Sequence, residues 1–125
     1  MKRGLALVCI VDDDADVRDG MRNLLASSGY DTVAFASAEE CLAVRLDGVS
    51  LALIDVRLPG IDGFALHSAL VERGLQLAVV FFSGHTDDTM AARAAQAGAI
   101  ALLQKPIDGD MLLCLIERVL GQGAV

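Results

Sequence analysis

The stretch LALIDVRLPGIDG, residues 51–63, decides the fold. Its first four residues are continuously apolar, which suits a strand buried on both faces of a sheet. The run stops at Asp55, and Pro59, Gly60 and Gly63 then shape a loop that opens into a helix over 63–73, ended by Gly74. Such a strand–loop–helix unit places its acidic residue at the carboxyl end of a strand, the edge where open α/β sheets keep their sites.

The same unit recurs along the chain. Residues 5–11, 30–35, 77–82 and 100–103 read as further strands. Residues 15–28, 38–45, 86–97 and 109–120 read as the helices that follow them, from apolar residues at helical spacing. Asp14 is placed to cap the first helix and Ser37 the second, and Gly29 and Gly98 act as stops. The second strand is more polar than the others, which puts it near an edge. Five such units imply one parallel sheet with right-handed crossovers, covered by helices on both faces. No linker or low-complexity stretch interrupts residues 1–125, so they are read as one domain with an ordered core over 4–121 and a short tail.

Composition narrows the function. The chain is 54% hydrophobic, enough for a full core, and its net charge of −7 argues against a nucleic-acid-binding face. The acidic run Asp12-Asp13-Asp14 follows the first strand, and such clusters attract divalent cations. Cys9, Cys41 and Cys114 form no CxxC pair and are odd in number, so they read as free buried thiols in a reducing cytoplasm. No apolar run approaches the roughly 18 residues of a membrane span. The basic start and apolar stretch of the N-terminus stop at the aspartates without a cleavage-site pattern, and read as a strand rather than a signal peptide.

Four strand ends now carry chemistry: Asp12 and Asp13, Asp55, Ser83, and Lys105-Pro106. The segments IVDDD, LIDVRLPGIDG, FFSGH and LLQKP, in this order and spacing, resemble the receiver domain of bacterial two-component response regulators. The resemblance covers nearly the whole chain. It implies the doubly wound, flavodoxin-like (βα)5 fold with strand order 2-1-3-4-5. It also implies that Asp55 is the phosphoacceptor, forming an aspartyl phosphate. Asp12, Asp13 and Asp55, with the backbone carbonyl of Arg57, would hold Mg2+, a hard ion that prefers oxygen ligands. Ser83 and Lys105 would contact the phosphoryl group, and the bond between Lys105 and Pro106 would be cis. Gly84 leaves room beside the site, and Arg57 and His85 occupy the positions that tune hydrolysis. The resemblance further implies a signalling phosphoacceptor rather than an enzyme with a separate substrate, one that would catalyse its own phosphorylation and dephosphorylation.

The implied partner is a sensor histidine kinase or phosphotransfer protein. The implied output is a rearranged surface of the fourth helix, fifth strand and fifth helix, open to homodimerisation or another partner. No membrane contact and no direct nucleic-acid contact are expected. One departure stands out: Leu102 occupies a position that is usually Tyr or Phe in the family. The last helix is broadly apolar. Leu112, Leu115, Ile116 and Val119 form a core stripe, and Met111, Leu113 and Leu120 fall off it, which favours a partner contact. An aspartate-dependent phosphatase would carry a second Asp where Arg57 stands. A nucleotide-binding protein would need a Gly-rich loop where the aspartates stand. The remaining alternative is a free-standing or degenerate receiver, serving as a phosphorelay shuttle or a phosphorylation-independent binding module.

Overall fold

The computed structural model describes residues 6–121. Gly4 and Leu5, expected at the start of the ordered core and first strand, and the tail beyond Gly121 lie outside the described residues. Five strands alternate with five helices: β1 Leu7–Val11, α1 Ala15–Ser27, β2 Asp31–Phe35, α2 Ala38–Leu42, β3 Val49–Asp55, α3 Gly63–Glu72, β4 Ala78–Ser83, α4 Asp88–Gln96, β5 Ala101–Gln104 and α5 Gly109–Leu120. The strands are all parallel, in the order β2-β1-β3-β4-β5, as the resemblance implied.

Alternation along each strand sends its residues to two separate cores. Cys9, Val11, Ala52, Ile54, Val79 and Phe81 face α2, α3 and α4, where Cys41, Leu66, Leu70 and Met90 meet them. Val8, Ile10, Leu51, Leu53, Val80 and Phe82 face α1 and α5, where Met21, Leu25, Leu112 and Ile116 pack. The two-sided burial is why the inner strands β1, β3 and β4 read as apolar runs.

Each helix starts on a side-chain cap. Asp14 accepts from the N–H of Asp16, Ser37 from Glu40, Asp62 from Ala65, Asp87 from Met90, and Asp108 from Asp110. These caps satisfy amide groups that the first helical turn leaves without partners.

Several boundaries differ from the sequence reading. The second helix ends at Leu42 rather than at residue 45, because Leu46 turns into the core and Gly48, at φ +85°, redirects the chain. β3 accordingly begins at Val49, which pairs with Leu7 ahead of a register shift. The fourth helix starts after Asp87, not at Thr86, because Asp87 takes the cap. Ile100, expected in the last strand, precedes it and is exposed.

The last helix also differs. Leu113 and Leu120 pack against the α1–α5 core rather than facing outward, and Val119 is only half-buried and outside that cluster. The apolar face is wide because α5 covers both the sheet and α1. Met111, at 50% exposure, is the residue that remains free of it. Cys9 and Cys41 are buried free thiols with their sulfurs 4.0 Å apart, whereas Cys114 is exposed on α5, contrary to the expected burial.

Candidate functional site

Parallel strands bring β1, β3, β4 and β5 to one carboxyl edge, and the predicted residues converge there. Asp55 ends β3 and is 5% exposed. Its Oδ1 accepts from the Arg57 N–H at 3.0 Å, and its Oδ2 accepts from Lys105 Nζ at 3.1 Å. Asp12, just past β1, is fully buried. Its Oδ1 accepts from the Asp14 N–H at 2.9 Å, and its Oδ2 lies 2.8 Å from Lys105 Nζ. The ammonium thus bridges two carboxylates that arrive from positions far apart in sequence. Lys105 is carried there by the chain just beyond β5, whose Lys105 N–H donates to the Ser83 carbonyl at 2.9 Å. The Lys105-Pro106 bond is cis, as expected.

Burial raises the Asp55 carboxyl above its ordinary value, opposed by the Arg57 N–H and Lys105 and reinforced by the negative charge of Asp12. Burial alone would lower Lys105, but its hydrogen bond to Asp55 and its close charge pairing with Asp12 and Asp55 outweigh that and hold it above the ordinary lysine value. The raised Asp55 value has a stability consequence. The folded state binds this proton more tightly than the unfolded chain, so ionising Asp55 is unfavourable to folding once the pH exceeds the ordinary carboxylate value. Asp55→Asn in cation-free buffer is therefore expected to raise the melting temperature at pH 7, with the gain shrinking as the pH falls toward the ordinary carboxylate range. Melting curves across pH check it; an equal or lower value at pH 7 contradicts it.

Asp12, Asp13 and Asp55 each offer a carboxylate oxygen within 4.8 Å of the others. Three carboxylates against one ammonium leave the edge with excess negative charge. Asp12 Oδ2 is buried with no hydrogen-bond donor of good geometry, having only the charge of Lys105 beside it. An all-oxygen donor set with an under-satisfied buried carboxylate fits a hard divalent cation. Asp13 is exposed and supplies the solvent-facing side of the group.

The remaining predicted residues sit around this centre. Ser83 ends β4 and is buried, but its hydroxyl turns into its own loop: it donates to the His85 carbonyl at 2.7 Å and accepts from the His85 N–H at 3.2 Å. Gly84 is exposed with open space where a Cβ would stand. Arg57 and His85 are exposed, in the loops that follow β3 and β4. Leu102 is half-buried against the α3–α4 core and lines a groove of about 480 Å3 between α4 and β5.

Three contacts escaped the sequence reading. Arg18 Nη1 donates to the Asp12 carbonyl at 2.6 Å. Glu39 Oε2 on α2 accepts from the Ile61 N–H at 3.2 Å and so ties down the loop after Asp55. Thr86 Oγ1 donates to Gln104 Oε1 at 3.0 Å, joining the loop after β4 to the end of β5. The first had a signal, a cation in the opening turns of a helix; the other two had none, since one uses a backbone N–H of an apolar residue and both join residues distant in sequence.

The family model for the response regulator receiver domain matches residues 8–117, which take in all but the first residue of β1, the other four strands and most of α5. The chain belongs to the response regulator receiver family. It is a signalling domain of two-component systems. Similar proteins include nodulation protein W of Bradyrhizobium diazoefficiens, 38% identical over 86% of this chain and 48% of that protein. The tetrathionate response regulatory protein TtrR of Salmonella typhimurium is 38% identical over 93% of this chain and 57% of its own length. The receiver therefore spans about half the length of these curated relatives. A CheY-like receiver structure from Methanospirillum hungatei superposes with a TM-score of 0.86 and 30% identity, covering 95% of this chain and 96% of that one. Among the described residues, no helix of this receiver is long and apolar enough to cross a membrane.

Proposed function

We propose that this receiver takes a phosphoryl group onto Asp55 from a phosphohistidine of a sensor kinase or phosphotransfer protein. The observation that carries the reading is the convergence of Asp12, Asp13 and Asp55 on one edge, with Lys105 bridging the two buried carboxylates. A carboxylate oxygen of Asp55 attacks phosphorus, the bond from phosphorus to the donor nitrogen breaks, and an aspartyl phosphate forms. Lys105 releases Asp55 and keeps its charge on the phosphoryl oxygens. Ser83 exchanges its bond to the His85 carbonyl for a phosphoryl oxygen, and the open space at Gly84 admits the group.

Asp13 and Asp55 directly, Asp12 largely through water, and the Arg57 carbonyl would hold Mg2+. Bound there, the ion offsets the negative charge of the transferring phosphoryl group. Water then hydrolyses the aspartyl phosphate, between the flanking side chains of Arg57 and His85. The domain thus catalyses its own phosphorylation and dephosphorylation.

The output surface we assign is that of α4, β5 and α5, acting through a homodimer or another protein partner. Leu102 supplies no aromatic ring there, so the coupling from Ser83 to this surface differs from the usual one. The acidic charge supports a segment that does not itself touch nucleic acid, with any transcriptional output left to a separate domain. A cytoplasmic location and an ordered domain over 4–121 belong to the same reading.

The test is intact-mass analysis after incubation with acetyl phosphate and Mg2+. One phosphoryl adduct is expected, absent without Mg2+ and absent in Asp55→Asn. An adduct that persists in Asp55→Asn would move the acceptor elsewhere. No adduct from a phosphorylated kinase domain either would favour the degenerate binding module.

A further inference from the structure

We infer that Arg18 is a positioning residue for the cation-binding edge, fixing the Asp12–Asp13 peptide from α1. The inference rests on the cation site proposed above. Arg18 is the fourth residue of α1, and its own N–H donates to the Asp14 carbonyl in the first helical turn. A cation there opposes the helix dipole, an unfavourable placement. The position therefore has another physical reason. Long side chains on a helix run back toward its N-terminus. That direction carries the guanidinium over the 12–14 loop, where Nη1 meets the Asp12 carbonyl at 2.6 Å.

The rest of Asp12 is already committed. Its N–H donates to the Phe35 carbonyl at 3.2 Å, Oδ1 takes the Asp14 N–H, and Oδ2 faces Lys105. Arg18 holds the one remaining backbone group, the carbonyl. That carbonyl shares a rigid plane with the N–H of Asp13. Clamping it sets the direction in which the chain enters Asp13, whose exposed carboxylate has to meet Asp12 and Asp55 across the crevice.

Charge and geometry predict opposite outcomes here, which makes the inference testable. A guanidinium beside the acidic group repels a cation, so charge alone predicts tighter binding when Arg18 is removed. Positioning predicts weaker binding. Mg2+ alone is titrated into the wild-type protein, Arg18→Ala and Arg18→Lys, followed by the amide resonances of Asp13 and Asp14. The dissociation constant is expected to rise about threefold to tenfold in Arg18→Ala, in keeping with the net worth of one partly exposed hydrogen bond. Arg18→Lys keeps the charge but not the planar fork, and is expected to weaken binding by a smaller factor of about two. Before Mg2+ is added, the Asp13 amide should already shift in Arg18→Ala while that of Ile116 does not. Unchanged or tighter binding in either variant overturns the inference and leaves the phosphoacceptor reading intact. If Arg18→Ala does not fold, Arg18→Lys decides alone, and binding equal to the wild type overturns it. No Mg2+ binding by the wild-type protein would sink the cation site itself and this inference with it.

Discussion

Gly63→Ala is expected to destabilise the receiver by about 3 kcal/mol, a larger effect than any helical glycine propensity could produce. Gly63 opens α3 directly against the strand that carries Asp55, and its N–H donates to the Val56 carbonyl at 2.9 Å. A Cβ at this position would collide with the Asp55 carbonyl oxygen and stand 2.9 Å from both Ile54 Cγ2 and the Val56 Cα. Two of these three obstacles are backbone, and the third is a fully buried side chain, so none can swing aside. Relief requires α3 to move away from β3, or the end of β3 to move, and Asp55 moves with it. The variant should therefore melt roughly 10 °C lower and also phosphorylate more slowly from acetyl phosphate. Gly20→Ala is the matched control, because a Cβ there meets nothing within 4 Å in the middle of α1. That change should stabilise by about 0.5–1 kcal/mol. Thermal melts of the two variants side by side check the argument; a Gly63→Ala melt within a few degrees of wild type refutes it.

Lys105→Met is expected to cost about 2–3 kcal/mol in cation-free buffer, and much less with Mg2+ present. The lysine is the shared counter-charge of Asp12 and Asp55, whose side chains are only 1% and 6% exposed. Methionine preserves most of the stem and removes the charge, leaving two desolvated carboxylates facing each other. Breaking a buried pair from one side typically costs 3–5 kcal/mol. The 21% exposure of the lysine side chain lets water recover part of that. A divalent cation shared by the same carboxylates replaces the missing charge, so the variant should gain more stability from Mg2+ than the wild type does. Urea unfolding with and without Mg2+ measures the difference. Equal losses in both buffers would place any bound cation away from Asp12 and Asp55. The raised Lys105 value adds a pH signature: its pairing is complete below the ordinary lysine range and is lost as the pH climbs through the folded value. The stability gap between wild type and variant should narrow in strong alkali.

The fold was legible because both faces of every inner strand are covered, which forces uninterrupted apolar runs such as residues 77–82. Helix starts were legible where a capping Asp or Ser precedes a periodic stretch, as at Asp14 and Ser37. Periodicity failed at the second helix, where Leu46 leaves the helical path to fill the core after a turn, a tertiary demand without a local signature. It also misjudged α5. A helix packed on a sheet and on α1 together buries Leu112 and Ile116 and half-buries Leu113 and Leu120 beside them. The convergence of Asp12, Asp13, Asp55 and Lys105 was legible because parallel strands send all their carboxyl ends one way. Side-chain direction at Ser83 was not, since the same serine can serve its own loop or a neighbour, and only the folded chain shows it bonded to His85.

The odd–even sorting of strand residues makes the sheet a partition wall. Cys9 and Val11 belong to one room, Val8 and Ile10 to the other, and the helices of the two rooms have separate furniture. Disturbance in one room reaches the other only through the wall or around its rim. Asp55 stands on that rim, where β3 ends and both layers of helices come within reach of the same loops. A single covalent mark placed there would reach both sides, whereas a mark deep in either room would be muffled by the sheet.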